Sequence, residues 1–358
     1  MALGDVKFFG KSGLWNDIVL TRPISSYVGS SLEDLVRFVE TEHSKNYIIV
    51  GVIPYDIAQI WNSDIDISLS DKKIHAFAYC ESRENNRKSL HQPIITNLHF
   101  PSQKVFNNQF SEVTHLIKEG QIYQINLTDK VTAESELTAE DWFSYIAYEF
   151  PKAHSCLFDL GGQQIISASP EMFLKIYPDS MITTEPIKGT AKSIDSDTEL
   201  LTSRKEAAEL AMITDLLRND LSNICEVGTV MVDNDRKLQH LEKITHTSSA
   251  LSGKLRENIS PIRALVSCFP GGSITGCPKT EAIKSIAQLE RNSRGFYTGC
   301  AFQLFADGSL NSSILIRTLE KTGNQLKLGV GSGIVWDSNS EDEYKEMLNK
   351  AYLLADLQ

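Results

Sequence analysis

No run of about 18 consecutive apolar residues occurs in the 358-residue chain, and its start, MALGDVKFFGKSGLW, lacks a charged opening followed by a long apolar stretch. Neither a membrane span nor a secretory leader is expected, and the protein is expected to be cytoplasmic. Cysteine is sparse: Cys80, Cys156, Cys225, Cys268, Cys277 and Cys300 fall at irregular spacings with no CxxC. That pattern suggests neither a zinc site nor a disulfide framework, and the six read as small buried thiols. Positive charge is also short, with 35 Lys and Arg against 46 Asp and Glu and a net charge of -11. The acidic residues are scattered, which argues against nucleic acid or an anionic membrane surface as a partner. An acidic protein that takes an anionic substrate must therefore build a local electropositive pocket. The late segment GVGSGIVWDS supplies a flexible turn through Gly329, Gly331 and Gly333 but holds no GxGxxG, so a dinucleotide fold is not expected.

What is present is an ordinary globular composition, 41% hydrophobic and 23% charged, enough to bury a large core. One large domain, or one with a small appendage, is the expectation. Residues 1–100 carry little distinctive pattern. The stretch 59–102, with ESRENNRKS at 81–89, reads as an exposed connection, and a boundary is placed near residue 100. Beyond it, Phe110, Val113, Leu116 and Ile117 follow helical spacing, with Gly120 as a stop. A strand should follow in IYQINLT, with Tyr123, Ile125 and Leu127 on one face and Gln124 and Asn126 on the other. Residues 164–190 read as successive strands turned at PDS, 178–180. Helical patterns span about 197–220, 278–290 and 341–356. Strands and helices come in mixed runs without strict βαβ alternation, so the fold class is α+β.

Several segments carry chemistry. In RKEAAELAMITDLLRND, Glu206 and Glu209 lie three apart and share a helical face, and EDEYKEMLNK repeats this with Glu343 and Glu346. With no His or Cys cluster in the chain, such pairs suit a hard cation, Mg²⁺ held by one or two carboxylates plus substrate oxygens. Two solvated helix faces would show the same spacing. In FPGGSITGCPKTEA the glycines permit tight turns before a helix near Pro278, where free amides can bind a carboxylate, although Gly-Pro punctuation is also common without a ligand. Arg317 alternates with apolar neighbours in what reads as a strand, and a buried guanidinium needs a bidentate partner, either a substrate carboxylate or an internal Asp or Glu. Lys188 sits between Ile187 and Gly189 at a strand end. A desolvated amine there would be a nucleophile, and a surface lysine is the alternative.

Taken in order, EGQIYQINLT, SASPEMFL, EPIKGT, AAELAMITDLLRND, FPGGSITGCPKTEA, YTGCAFQLFADGSLNSSILIRTL and GSGIVWDSNSEDEYKEMLNKA resemble the chorismate-utilising enzymes over about residues 107–358. That family includes anthranilate, aminodeoxychorismate, isochorismate and salicylate synthases. The resemblance implies two packed mixed or antiparallel sheets flanked by helices, with a weakly matching region at 1–100 and the catalytic region at 101–358. It implies Mg²⁺ on the ring carboxylate of chorismate, with Glu209 and Glu346 as main ligands and Glu206 and Glu343 in support. Arg317 and Tyr297 would clamp the enolpyruvyl carboxylate. The backbone near Thr275, Gly276, Gly331 and Gly333 would hold carboxylates, and Lys350 would add positive charge. Glu171 would be the general acid for the departing C4 hydroxyl, Thr190 would hydrogen-bond at the ring, and His246, in THTSS, matches the family histidine, with His240 as its competitor.

Gln124 stands where isochorismate and salicylate synthases resemble one another in carrying a water-activating lysine, so C2 hydration is disfavoured. Lys188 stands where anthranilate synthases typically carry Ala and aminodeoxychorismate synthases carry Lys. The resemblance thus implies amination at C4, with ammonia from a separate glutamine amidotransferase subunit. Anthranilate synthase component I is the alternative. The segment GVIPYDIAQ is only faintly like the family's GYxSYD, and tryptophan inhibition is not expected.

Overall fold

The computed structural model describes residues 1–10, 14–15, 17–61, 72–84, 92–151, 153–191, 202–240 and 245–355; the side chains of 59–61, 189–191, 204–206, 235, 239–240 and 246 fall outside that description. Two antiparallel sheets dominate, with strands numbered in chain order. The first runs β16 (Gly276–Cys277), β8 (Gln124–Glu134), β20 (Gln325–Ile334), β19 (Thr318–Thr322), β10 (Gln164–Ser169), β9 (His154–Asp159), β1 (Val6–Phe8), β2 (Ile18–Leu20), β6 (Arg83–Glu84), and β7 (Thr96–His99) also pairs with β8. The second runs β13 (Ile187–Ala191), β15 (Thr245–Lys254), β12 (Met181–Thr184), β11 (Met172–Ile176), β18 (Leu310–Ile314), β17 (Cys300–Leu304), β4 (Ile48–Ile53), β5 (Ile74–Tyr79), β3 (Ser25–Gly29), with β14 (Met231–His240) on β15.

Period-two alternation sorts the side chains. Phe8, Cys156, Phe158 and Ile165 of the first sheet meet Val50, Val52, Phe77, Tyr79 and Ala301 of the second in one buried cluster. The opposite faces, with Ile125, Leu127, Leu157 and Ile166 on one sheet and Ile49 and Ile53 on the other, belong to the larger cluster that the helices complete. On the first sheet lie α2 (Gln103–Lys118) and α3 (Ala139–Glu149); on the second lies α1 (Leu32–His43). The result is a helix, sheet, sheet, helix layering, and the α+β expectation holds.

Strands from before residue 100 enter both sheets: β1 pairs with β9, and β4 pairs with β17. The reading of 59–102 as an exposed connection is corrected here, because IHAFAY forms β5, almost wholly buried between β3 and β4. Its short apolar run was masked by the polar segments on either side, of which 62–71 and 85–91 lie outside the described residues. The helix at 107–119 is observed as α2, closed by Gly120 at φ +71°. Of the pattern at 197–220, residues 197–201 lie outside the described residues and the rest is observed as α4 (Arg204–Ser222); that at 278–290 is α6 (Lys279–Leu289) after α5 (Pro261–Cys268), and that at 341–356 is α7 (Ser340–Asn349) with a last turn, α8 (Tyr352–Ala355), residue 356 lying outside the described residues. No described helix is long and apolar enough to cross a membrane. Cys156, Cys225, Cys268 and Cys300 are buried as expected, whereas Cys80 is exposed.

Candidate active site

The site is built on the glycines of β20. Gly333 pairs with Asn126 and Gly331 with Thr128, so one face of β20 carries no side chain beside the polar face of β8. A Cβ on Gly333 would stand 3.1 Å from both the Gln124 amide nitrogen and the Lys188 Nζ, which brings these two residues to one point. Gln124 is buried, and its backbone carbonyl lies so close to Gly276, at φ +148°, that any Cβ there would collide with it. Thr275, fully buried, donates from its hydroxyl to the Gly271 carbonyl at 2.6 Å, and its own carbonyl accepts from Asn126 N at 2.9 Å. The GGSITG segment is thereby stitched to β8.

Lys188 lies in β13 where the register slips between Lys188 and Thr190, and its Nζ is 3.0 Å from a Glu209 carboxylate oxygen on α4. Both side chains are largely buried, so this pair is poorly screened. The hydroxyl of Thr247 donates to the Lys188 carbonyl. Across the same ladder Thr190 pairs with His246, which brings these two backbones together, but their side chains and that of Glu206 lie outside the described residues.

Glu171 follows β10 and is buried, accepting a 2.6 Å hydrogen bond from the Ser273 hydroxyl. Burial pushes its carboxyl up to about 7, against the opposing pull of that hydrogen bond and of the Lys188, Arg317 and Lys350 charges. Four predicted site residues therefore share one electrostatic environment. Arg317 is not in a strand interior as expected: it forms the link between β18 and β19 at φ +50°, with its guanidinium 5.3 Å from the Tyr352 ring centre. Burial draws its affinity for the proton down, the Tyr352 and Glu171 charges opposing. Lys350, the C-cap of α7, donates to the Gly331 carbonyl at 2.9 Å and pairs with Glu346 at 2.8 Å.

The two glutamates of α7 part company. Glu343 is buried and accepts from the Ser338 hydroxyl at 2.6 Å, whereas Glu346 is half exposed beside Lys350. Among the described residues no three His, Cys, Asp or Glu side chains converge as a ready metal cage. A hard cation needs no such cage when substrate oxygens complete its shell. Glu209 pairs with Lys188, whose amine lies by Gly333, and Glu346 with Lys350, which reaches the Gly331 carbonyl; carboxylate oxygens such as these are the donors a hard cation like Mg²⁺ takes.

Tyr297 is buried, with its ring so close over Gly329 that a Cβ there would force the ring to shift, and burial raises its phenol. The residue that holds this corner was not predicted. Arg294, 2% exposed, spends all five N–H donors: on both oxygens of Glu290, on the Ile274 and Asn126 carbonyls, and on the Thr298 hydroxyl. Tyr55 lies face-on at 4.3 Å. Asp56 in turn accepts from Ser293 Oγ, Arg294 N and Gly295 N. The signal was an arginine and a glycine in RNSRGFY beside the expected Tyr297, and an aspartate in the faint GVIPYDIAQ match. Ser273, too, lay inside a quoted motif with no role assigned.

An α+β layering brings a buried, proton-retaining carboxyl, an amine and two further cations together around a glycine strip, a set of charges suited to a small anionic ligand. The family described as chorismate binding enzyme matches residues 35–356, and the chain belongs to it. The chain is 35% identical over 259 residues to an anthranilate synthase component 1 of Haloarcula marismortui, covering 70% of this chain and 51% of that one. It is 34% identical over 244 residues to an aminodeoxychorismate synthase of Streptomyces griseus, covering 66% and 34%. The chain thus spans about half the length, or less, of these curated relatives. In fold it is similar to MenF, the menaquinone-specific isochorismate synthase of Escherichia coli, with TM-score 0.79 and 19% identity over 100% of this chain and 89% of that one.

Proposed function

We propose that this protein is the chorismate-aminating component of an aminodeoxychorismate synthase, forming 4-amino-4-deoxychorismate, the precursor of p-aminobenzoate and folate. The observation that carries the reading is the placing of Lys188 Nζ beside Gln124 over Gly333, within the electrostatic reach of Glu171. Lys188, having given its ammonium proton to solvent, attacks C2 of chorismate as the free amine, forming a C–N bond, while Glu171 gives its proton to the departing C4 hydroxyl, which leaves as water. Ammonia then bonds to C4 as the C2–N bond breaks, returning the amine. Two allylic substitutions replace one difficult regiochemical step.

Arg317 and Tyr297 would clamp the enolpyruvyl carboxylate, and Lys350 would add charge at the Gly331 end. Glu209 and Glu346, supported by Glu206 and Glu343, would hold Mg²⁺, which when bound neutralises the ring carboxylate and fixes the ring's orientation. Gln124 carries no base to activate water, which disfavours hydration. Thr190 and His246 would complete the reacting side. Ammonia would come from a glutamine amidotransferase partner, as the resemblance to two-component enzymes suggests.

The second reading, anthranilate synthase component I, is favoured by the 35% identity to a relative of that name. The deciding experiment incubates the purified protein with chorismate, Mg²⁺ and ammonium and identifies the product by mass spectrometry and anthranilate fluorescence. An aminated chorismate that keeps its enolpyruvyl group, lost in Lys188→Ala, supports C4 amination. Anthranilate with pyruvate would establish the second reading, and isochorismate would overturn both.

A further inference from the structure

Between the points where β16 and β7 pair with β8, the outer edge of β8 has no strand beside it among the described residues, and an open strand edge must be covered. Here side chains do so: Glu290 accepts from Thr128 N at 2.9 Å, Asp129 from Lys130 N at 2.8 Å, and Arg294 donates to the Asn126 carbonyl. Because side chains cover an edge less completely than a strand, a cavity of about 230 Å³ remains, walled by Val105 and Gln109 of α2, Lys130, Arg291 and Tyr297.

The wall carries Lys130, Arg291 and Arg294 against the single carboxylate of Asp129, whose oxygen accepts from Lys130 N, so its charges do not cancel. Arg294 lies in its wall with every donor spent. Lys130, half-buried, has no hydrogen-bonding or ion-pairing partner for its ammonium among the described residues, and neither has the exposed Arg291 at the mouth. The carboxylates whose charges reach Lys130 are engaged elsewhere, Glu320 with Gln163 and Phe296 N, and Asp56 with the 293–295 turn. The opposing pull of burial lowers the Lys130 proton affinity. An ammonium drawn partly out of water without a partner favours an anion beside it.

Size narrows the anion. A cavity of about 150 Å³ accepts benzene, and drug-sized ligands need roughly 300 Å³ or more. The space therefore suits one ring with one carboxylate, the ring against Tyr297 and Val105 and the carboxylate between Lys130 and Arg291. We propose that this cavity is a second, separate binding site for a small aromatic monocarboxylate of about benzoate size. It shares the Tyr297 ring with the proposed substrate site but centres on Lys130, which pairs with Gly329, four residues along β20 from the Gly333 that faces Lys188. The site does not depend on which reaction the enzyme performs.

The test is titration calorimetry of the full chain with benzoate and with 4-aminobenzoate, in the absence and presence of saturating chorismate. Saturable one-to-one binding that persists with chorismate, weakens about tenfold in Lys130→Gln, as loss of one charge-assisted contact requires, and also weakens in Arg291→Gln is the expected result. Arg291 is exposed, so its variant tests the site without risk to the fold. No saturable binding, affinity in both variants unchanged from the parent, or displacement by chorismate one for one would overturn the proposal. None of these outcomes depends on the identity of the reaction product.

Discussion

Glu171 sets the alkaline limit of the reaction if it is the proton donor. Its carboxyl, raised from 4.5 to about 7 chiefly by burial, is half protonated near neutrality, so the rate should fall about tenfold per pH unit above it. The assay is kcat against pH at saturating chorismate, with free ammonia rather than total ammonium held constant, since ammonia itself becomes more available as pH rises. Glu171→Gln should lose roughly 10²–10⁴ in kcat and the descending limb with it. Ser273→Ala sharpens the test. The Ser273 hydroxyl donates to the carboxylate and so favours ionisation; its removal should raise the Glu171 value and move the limb to higher pH.

The same shift acts on stability. A carboxyl with a raised folded value contributes stability that is present below pH 4.5 and lost as pH climbs through about 7. Glu171→Gln should therefore be more stable than the parent at pH 8, by up to roughly 3 kcal/mol, and equal to it at pH 4. A descending limb that persists in Glu171→Gln, or that moves to lower pH in Ser273→Ala, would refute the assignment.

Two further predictions concern the scaffold. His75 and His154 are held neutral, pushed down to about 4 mainly by burial, so stability should be full above pH 6.5 and decline from there toward pH 4, and His154→Gln should flatten that decline in thermal melts. Gly329→Ala drives a methyl into the Tyr297 ring; it should cost about 1–3 kcal/mol and raise KM for chorismate more than it lowers kcat, which parallel melting and kinetics will reveal.

Much of this was legible because the chemistry is concentrated in short segments whose periodicity survives in the sequence. The helix stop at Gly120, the polar face of Gln124 and Asn126, and the strands around the 177–180 turn were readable from spacing of two or of 3.6. The failures share a cause. Arg317 was read as a strand residue because its neighbours alternate, but the chain turns there through a left-handed conformation that local pattern does not encode. Likewise β5 owes its burial to β3 and β4 on either side, partners supplied by distant sequence. The spacing of Glu343 and Glu346 predicted a shared face; only the fold separates one, held by Ser338 under the helix start, from the other, beside Lys350.

Arg294 shows what spacing cannot reveal, since a fully buried guanidinium is tolerable only when every donor and the charge itself are answered. Its five hydrogen bonds reach the 271–276 turn at Ile274, β8 at Asn126, the end of α6 at Glu290 and the chain beside Tyr297 at Thr298. Three of those segments carry proposed substrate contacts, so the arginine positions them relative to one another without touching substrate. Lysine at this position keeps the charge but has three donors on a flexible stem and no planar fork. Arg294→Lys should leave at least two acceptors unanswered and cost about 3–5 kcal/mol. Asp56→Asn, which keeps the shape but replaces one acceptor oxygen by an NH₂ donor facing either Arg294 N or Ser293 and Gly295 N, should cost about 1–3 kcal/mol. In Asp56→Asn protein that remains folded, KM for chorismate should rise severalfold while the pH limb set by Glu171 stays in place. If stability falls with KM unchanged, the cluster holds only the fold, and the positioning role fails.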